Sequence, residues 1–216
     1  MVQSFSQLLE RKAANSLDER SKTYLTYITE GAVRARELIK DILDFCRLDQ
    51  VNEAHEEVSL SVLCKQVTIT LSALLEEREA EVHWPDDLPS IIGVQSQIFQ
   101  LLLNLIGNGV KFNRNSTPTV TISAEDEVDQ WVVYITDNGI GIDPQYVSQI
   151  FKIFNRLNSR TEFPGTGIGL AICKKIADHH NAEILVDTHW NPGSRFVLRW
   201  PKVIEDSLVH TSAVDD

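Results

Sequence analysis

The sequence predicts an α+β protein, a two-layer α/β sandwich that is preceded by an N-terminal helical hairpin. In residues 1–50, apolar side chains recur at steps of mostly three or four, which is the period of an amphipathic helix. Residues 58–201 alternate between apolar helical stretches and short strands, several of which can pair as hairpins. Helices over an antiparallel-rich sheet form two layers around one core.

The first 50 residues are predicted to form two helices. Phe5, Leu8 and Leu9 give a short first helix its apolar face, and Ser16 or Asp18 can cap the second helix. The second helix carries a long apolar stripe: Leu25, Ile28, Ala32, Leu38, Ile39, Ile42, Phe45 and Cys46. The first helix is too short to cover this stripe. We therefore expect a homodimer in which a second copy of the chain completes the bundle.

The remaining chain divides into a polar linker at 51–57, a domain at 58–201 and a frayed polar tail at 202–216. Helices are expected at 61–79, 95–112 and 167–180. Strands are expected at 58–60, 82–84, 91–94, 119–123, 131–136, 184–186 and 195–199, with a turn at 191–193 between the last two.

Composition excludes some classes of function. The net charge of −11 argues against a nucleic-acid partner, because such a surface must neutralise phosphates, although a single bound nucleotide is compatible with it. Cys46, Cys64 and Cys173 form no closely spaced pair, which indicates reduced thiols in the cytoplasm. Since no apolar run approaches the roughly 20 residues that span a bilayer, we expect no membrane segment here, although a larger parent protein could be membrane-anchored.

Polar side chains interrupt the apolar helix at 95–112. Gln100, Asn104 and Asn108 are four residues apart and share one face, and Lys111 follows three residues later. Either this stripe faces solvent, or it forms a site for a hydrated cation and phosphates. Amide oxygens suit Mg²⁺, and the lysine supplies a mobile positive charge.

Two glycine-rich segments lie further along the chain. DNGIGI at 137–142 directly follows a strand; Asp137 can accept the amino proton of adenine, and its glycines allow close backbone approach. GTGIGL at 165–170 precedes a helix whose N-terminal amides can face a phosphate. Between them lies FKIFNRL at 151–157. Each motif alone is a weak signal. Asp-Asn-Gly is a common turn, and the paired phenylalanines of FKIFNRL are usually core residues. GTGIGL lacks the βαβ context of a dinucleotide-binding fold.

In this order and spacing, the four segments resemble the N, G1, F and G2 boxes of the sensor histidine kinase ATP-binding domain. The resemblance covers about residues 56–200, and PGTGIGLAICKKIADHH is similar to the form in phytochrome-like kinases. It implies the histidine kinase, gyrase and Hsp90 type of ATPase fold, with ATP and Mg²⁺ as cofactors.

The resemblance also implies roles for individual residues. Mg²⁺ is assigned to Asn108, and Asn104, Lys111 and Arg156 are the catalytic candidates. The implied nucleotide-binding set is Asn104, Asn108, Lys111, Asp137, Gly139, Gly141, Phe154, Gly165, Thr166, Gly167, Gly169 and Leu170.

The sequence departs from the family pattern at two places. Gly109 stands where the family usually has alanine, which weakens the helix by about 1 kcal/mol. His180-Asn181-Ala182 replaces the common His-Gly-Gly, so the turn after the helix is expected to differ.

The resemblance implies an acceptor histidine on the first bundle helix, roughly eight residues before Val2. The six histidines of this chain stand elsewhere, and each is expected to be an ordinary surface or packing residue. Either the chain is a fragment of a longer kinase, or it is a short protein that acts on another chain.

The leading hypothesis is therefore the catalytic core of a two-component sensor histidine kinase, with a response regulator receiver domain as a partner. The first alternative is a degenerate kinase that binds ATP and regulates a response regulator or another kinase by docking. The second is an ATP-driven clamp or an anti-sigma serine kinase on the same fold. The helical hairpin and the segment from Phe154 to Leu157 disfavour the second alternative.

Overall fold

The computed structural model describes residues 5, 9, 18–48, 53–115, 117–157, 162–163 and 165–202. Of the predicted first helix, only Phe5 and Leu9 are described, and both are helical and exposed. The rest of that helix, Ser16, and the tail after Lys202 lie outside the described residues. Within the described part of the chain, no helix has both the length and the apolar character needed to cross a bilayer.

Helix α1, Glu19–Arg47, is the long second helix of the predicted hairpin. Asp18 caps it, since its carboxylate accepts a hydrogen bond from the Ser21 amide at 2.8 Å. Much of the apolar stripe stays uncovered; the exposed large side chains of α1 are Tyr24, Tyr27, Ile28, Ile39, Ile42 and Leu43.

The other elements form the predicted sandwich. The helices are α2 (Leu60–Thr70), α3 (Ser72–Arg78), α4 (Gln95–Lys111) and α5 (Gly169–His179), with a short 3₁₀ turn at Pro144–Tyr146. The strands are β1 (Glu56–Ser59), β2 (Glu81–His83), β3 (Ser90–Gly93), β4 (Thr119–Asp126), β5 (Gln130–Asp137), β6 (Glu183–Val186) and β7 (Arg195–Pro201).

Five strands form the main sheet in the order β2-β4-β5-β7-β6, and β1 and β3 form a separate antiparallel pair. Among the described strands, only the β2–β4 contact is parallel. The predicted hairpins β4–β5 and β6–β7 are antiparallel, with Ile122 opposite Ile135 and Ile184 opposite Leu198. The mixed, mostly antiparallel sheet with helices on it confirms the predicted fold class.

The core lies between the helices and the main sheet. Helix α4 buries one face against it at the expected helical spacing, through Ile98, Leu101, Leu102, Leu105, Ile106 and Val110. The buried indole of Trp200 on β7 donates a hydrogen bond to the carbonyl oxygen of Ile92 on β3 at 2.9 Å. This bond ties the two-stranded sheet to the main sheet.

Most element boundaries differ from the prediction by one to three residues, and two differences change the element itself. The helix expected at 61–79 is two helices, because α2 ends at Thr70 and Leu71 leaves the helical conformation. Thr68 and Thr70 bond their hydroxyls back to helix carbonyls, and β-branched residues are weak helix formers. The residues Glu56 and Glu57, expected in the linker, instead begin β1 because their backbones pair with Gly93 and Ile92.

His180, at the end of α5, is a packing residue, as expected. Its Nε2 accepts a hydrogen bond from the Val94 amide at 2.9 Å, and its Nδ1 lies 2.7 Å from the carbonyl oxygen of Ile176. The centre of its ring lies 4.8 Å from the ring centre of Trp200. Burial lowers the pKa of His180 to about 4. The following Asn181 has φ of 52°, a left-handed conformation that asparagine tolerates, so this residue fits the turn that ends α5.

Candidate functional site

A cavity of about 350 Å³ lies where α4, the end of β5, the start of β7 and the segment before α5 meet. Its size falls within the range of small-molecule sites, about 300–1,000 Å³. Its lining combines Asn104, Asn108 and Lys111 of α4, which we call the polar end, with Asp137 and apolar side chains such as Ile140, Ile142 and Ile150, which we call the apolar end. Helix α1 also contributes, through Glu37 and Asp41.

Asp137 is the last residue of β5 and is buried at the apolar end of the cavity. One carboxylate oxygen, Oδ1, accepts hydrogen bonds from the Gly139 amide at 2.8 Å and the Ser194 amide at 3.1 Å. Burial raises the pKa of Asp137, and these two amide bonds oppose the increase. The carboxyl group is thus oriented by its neighbours and held in a weakly solvated site.

Ser194 was not among the predicted site residues, although it lines the cavity at the start of β7. Its carbonyl oxygen accepts a hydrogen bond from the Asp137 amide at 2.8 Å, so the two residues are paired in both directions. The preceding Gly193 has φ of 87°, and a β-carbon there would overlap the Asp137 carbonyl group. The predicted turn at 191–193 was the sequence signal for this approach.

The polar stripe of α4 reaches the opposite end of the cavity. Asn104, Asn108 and Lys111 all line it. The Nδ2 of Asn104 is buried and donates no hydrogen bond to any of the described residues, which is costly for an amide. A β-carbon on Gly169 would lie 3.2 Å from the Oδ1 of Asn104, so the glycine keeps the space beside this amide open.

Lys111 lies half-buried at the same end. Its Nζ is 4.9 Å from the centre of the Phe112 ring. Burial lowers the pKa of Lys111, the positive charge of Arg156 lowers it further, and the carboxylates of Glu37 and Asp41 oppose both effects. The ammonium group therefore gains from negative charge brought into the cavity.

Phe163 and residues 165–167, just before α5, lie beside this end of the cavity and are called the cover segment. The guanidinium of Arg156 donates hydrogen bonds to the carbonyl oxygen of Gly165 and, at 2.6 Å, to that of Phe163. Gly167 has φ of 78°, and a β-carbon there would lie 2.9 Å from the Cγ of Arg156. Thr166 donates its hydroxyl to Asp41 of α1.

The structure brings nearly all the predicted site residues to one cavity: Asn104, Asn108, Lys111, Asp137, Gly141, Arg156, Gly165, Thr166, Gly167, Gly169 and Leu170. Gly139 is outside the lining set, and its amide holds the Asp137 carboxylate. Phe154 is also outside it and is 57% exposed. Its backbone has φ of 64°, and its amide donates to the Gly167 carbonyl oxygen at 3.0 Å, so it contributes backbone to the cover.

Sequence reasoning missed two kinds of site residue. The acidic pair on α1, Glu37 and Asp41, carries no motif, and only the packing of α1 brings it to the cavity. The apolar lining at Ile140, Ile142 and Ile150 is adjacent to the DNGIGI motif, so its position in the chain was the available signal.

The donor set fits Mg²⁺ bound together with phosphates. Among the described residues, no group of three or more His, Cys, Asp or Glu side chains forms a metal cage. Mg²⁺ usually keeps several waters and takes few protein ligands when it accompanies a nucleotide. The amide oxygen of Asn108, at the polar end of the cavity, can supply such a ligand.

Residues 93–204 match a family described as histidine kinase-, DNA gyrase B- and HSP90-like ATPases. Among curated proteins, the phytochrome-like protein Cph1 of Synechocystis sp. is 36% identical over 200 residues, which is 93% of this chain and 27% of that protein. Cyanobacterial phytochrome A of Nostoc sp. is also 36% identical, over 93% of this chain and 26% of its own length. The chain spans about a quarter of these relatives.

Solved structures are similar as well. Full-length ShkA, crystallised in complex with AMPPNP, has a TM-score of 0.69 and 26% identity, covering 93% of this chain and 42% of its own. The histidine kinase ThkA in complex with the response regulator TrrA has a TM-score of 0.65 and 21% identity, covering 94% of this chain and 58% of its own. At that identity, ThkA supports the fold alone.

Proposed function

Since the chain belongs to the histidine kinase-, DNA gyrase B- and HSP90-like ATPase family and carries the ATP-binding domain of a sensor histidine kinase, we propose that it binds Mg-ATP and transfers the γ-phosphate to a histidine. The observation that carries this proposal is the two-ended cavity. An oriented carboxyl, Asp137, lies at its apolar end, and Asn104, Asn108 and Lys111 lie at its polar end.

The apolar end suits adenine. A carboxylate oxygen of Asp137 can accept the exocyclic amino proton of the base, because Oδ1 alone takes the two backbone amides. Ile140, Ile142 and Ile150 supply the apolar surface for the flat ring. Burial of Asp137 strengthens such a hydrogen bond, since little water competes for it.

The polar end suits the triphosphate. Lys111 and Arg156 supply positive charge, the oxygen of Asn108 would hold Mg²⁺, and Asn104 has a buried amide N–H available for an oxygen of the ligand. When bound, Mg²⁺ neutralises charge on the phosphates. The side chains orient the γ-phosphate, so that a histidine nitrogen can attack phosphorus in line; the new N–P bond forms as the bond to the β-phosphate oxygen breaks and ADP leaves.

The acceptor histidine is proposed to come from outside the six histidines of this chain. None of the cavity-lining residues among those described is a histidine, and the buried nitrogens of His180 are occupied by backbone groups. The acceptor is then supplied by a longer form of the protein or by another chain, and the receiver domain of a response regulator is the proposed destination of the phosphate. ThkA, which shares the fold, was solved in complex with a response regulator, and this destination is proposed by analogy with it.

Two further properties belong to this proposal. The exposed apolar stripe of α1 supports a homodimer through the N-terminal helices. We also propose the domain division of the sequence analysis: a helical hairpin at 1–50, a linker at 51–57, the ATP-binding domain at 58–201 and a tail at 202–216. Free Cys46, Cys64 and Cys173 support a reducing, cytoplasmic location, where ATP is available.

The test is calorimetric titration with a non-hydrolysable ATP analogue and Mg²⁺. The native chain should bind, whereas Asn108→Ala and Asp137→Ala should each weaken binding at least tenfold, about 1.4 kcal/mol. Asp86→Ala, in an exposed loop, is the matched control and should bind like the native chain. A native chain that binds no nucleotide would contradict the proposal and favour docking without ATP.

A second experiment tests the transfer. The chain is mixed with labelled ATP and a related kinase that retains its acceptor histidine but has a disabled nucleotide site. Label on the partner's histidine supports kinase activity in trans. Nucleotide binding without transfer supports the regulatory, docking alternative.

A further inference from the structure

Helix α1 places two carboxylates at the phosphate end of the cavity. Glu37 and Asp41 are four residues apart on one face of α1, and both line the cavity that Lys111 and Arg156 also line. Neither residue belongs to the four sequence motifs. They come from a different part of the chain, 63 or more residues before Asn104.

Asp41 also holds the cover segment. Its Oδ2 accepts a hydrogen bond from the Thr166 hydroxyl, and Thr166 lies between Gly165 and Gly167. This is the cover that Arg156 organises through the carbonyl oxygens of Gly165 and Phe163. A single carboxylate on α1 is therefore bonded to the segment that faces the polar end of the cavity.

The next turn of α1 fixes this arrangement. Phe45, four residues after Asp41, accepts a hydrogen bond at its carbonyl oxygen from Lys175 of α5 at 3.0 Å, and the Lys175 ammonium lies 4.2 Å from the Phe45 ring centre. Glu37, Asp41 and Phe45 thus form one face at four-residue spacing, with contacts at both the cavity and α5.

We propose that, in this docked position of α1, the carboxylates of Glu37 and Asp41 stand in for phosphate groups, so that α1 lowers the affinity of the cavity for a nucleoside triphosphate. The inference rests on the proposed function and adds its regulation. Carboxylate oxygens and phosphate oxygens are both acceptors for Lys111, Arg156 and Thr166, and like charges at close range repel. Binding of the triphosphate then requires α1 to withdraw these carboxylates.

The energetic consequence is a reduction of apparent affinity. If only the undocked state binds the triphosphate well, the apparent dissociation constant increases in inverse proportion to the undocked fraction. A signal that moves α1 would therefore regulate nucleotide loading without changing any nucleotide-binding residue.

The test compares the full chain with Asp41→Asn and Glu37→Gln by calorimetry with Mg²⁺ and the ATP analogue. Asparagine keeps an acceptor oxygen for Thr166, so Asp41→Asn removes charge while the hydrogen bond can persist. We expect each variant to bind about threefold to tenfold more tightly than the native chain, and the advantage to shrink at high salt. Asp44→Asn, on the same helix but outside the cavity lining, should change affinity by less than about twofold.

The outcomes separate this inference from the proposed function. Equal or weaker nucleotide affinity in Asp41→Asn and Glu37→Gln, with native binding intact, overturns the regulatory role and leaves the kinase proposal standing. If Asp44→Asn gains the same nucleotide affinity, the effect comes from net charge, and the regulatory role of Glu37 and Asp41 is overturned as well. If neither the native chain nor any of the three variants binds the nucleotide, both the proposed function and the regulatory inference are contradicted.

Discussion

Gly109 of α4 lies against Val120 of β4 so closely that a β-carbon on Gly109 would come within 2.7 Å of the Cγ2 of Val120. It would also lie 3.1 Å from the Cβ of Asp137. By sequence alone, glycine here weakens α4 by about 1 kcal/mol relative to alanine. The close approach of helix to sheet, beside the buried carboxyl, explains why a glycine is tolerated at this position.

Gly109→Ala should therefore lower stability in spite of its better helix propensity. Val120 is fully buried and its β-branched side chain has little freedom to move, so overpacking of about 1–3 kcal/mol outweighs the helical gain. Gly107→Ala is the matched control on the same helix, because its β-carbon would meet only the Cδ2 of Leu71 at 3.9 Å. Urea unfolding should show a gain of up to about 1 kcal/mol for Gly107→Ala and a loss for Gly109→Ala. Equal gains in both variants would show that α4 and β4 move apart freely.

Asp137→Asn should preserve or raise the melting temperature at neutral pH while weakening nucleotide binding. Because burial raises the pKa of Asp137, its stabilising contribution is present below the pKa of the unfolded state and is lost as the pH rises through the folded pKa. Asparagine keeps an oxygen for the amides of Gly139 and Ser194 and avoids the free-energy cost of burying a charged carboxylate. Scanning calorimetry at several pH values should show the advantage of the variant decreasing as the pH is lowered. A clear loss of stability at neutral pH would mean that the charge itself supports the fold.

Arg156→Lys should loosen the cover segment. The guanidinium bonds two carbonyl oxygens at once, those of Gly165 and Phe163, and a lysine ammonium lacks the planar fork that allows this geometry. We expect about tenfold weaker binding of the ATP analogue and faster amide exchange at Gly165–Gly167. Arg199→Lys, whose exposed ion pair with Glu183 is 3.7 Å long, is the control and should behave like the native chain. Unchanged binding and exchange in Arg156→Lys would assign the residue no organising role.

His180 should make the domain sensitive to acid. Its folded pKa is about 4, below the ordinary value of 6.5, so the stability associated with neutral His180 is fully present above pH 6.5 and is lost as the pH falls towards 4. The loss over this window is roughly 3 kcal/mol. Urea unfolding of His180→Gln should show lower stability at pH 7.5 but a weaker pH dependence than the native chain. A pH dependence in His180→Gln that equals that of the native chain would contradict this origin.

The proposed homodimer predicts that Ile39→Glu combined with Leu43→Glu yields a monomer. Both are exposed apolar side chains of α1, and burying each one contributes about 1.5–3 kcal/mol in each copy. Light scattering should show the dissociation constant of the dimer increased at least a hundredfold. Lys40→Glu, an exposed change on the same helix, is the control. A native chain that is monomeric at high concentration would remove the dimer from the proposal.

The local patterns of the chain predicted the elements and most of the site, and their limits have physical causes. Asn104, Asn108 and Asp137 were recognisable because helical spacing and a strand-ending turn are local properties. Glu37 and Asp41 were not, because their place at the cavity depends on the docking of α1 against α5, a contact between distant parts of the chain. The break at Leu71 was missed because the apolar pattern continues through residue 71, whereas the backbone of Leu71 is not helical.

The order β2-β4-β5-β7-β6 has a consequence for how this protein is made. β7, the last strand in the described part of the chain, lies between β5 and β6, and Ser194, just before it, donates the second amide hydrogen bond to the Asp137 carboxylate. A nascent chain that ends before residue 194 has two interior strand edges without a partner, and its Asp137 carboxylate lacks the hydrogen bond from the Ser194 amide. Residues 194–201 must therefore leave the ribosome before the sheet can close around β7 and the Asp137 carboxylate can gain its second amide hydrogen bond.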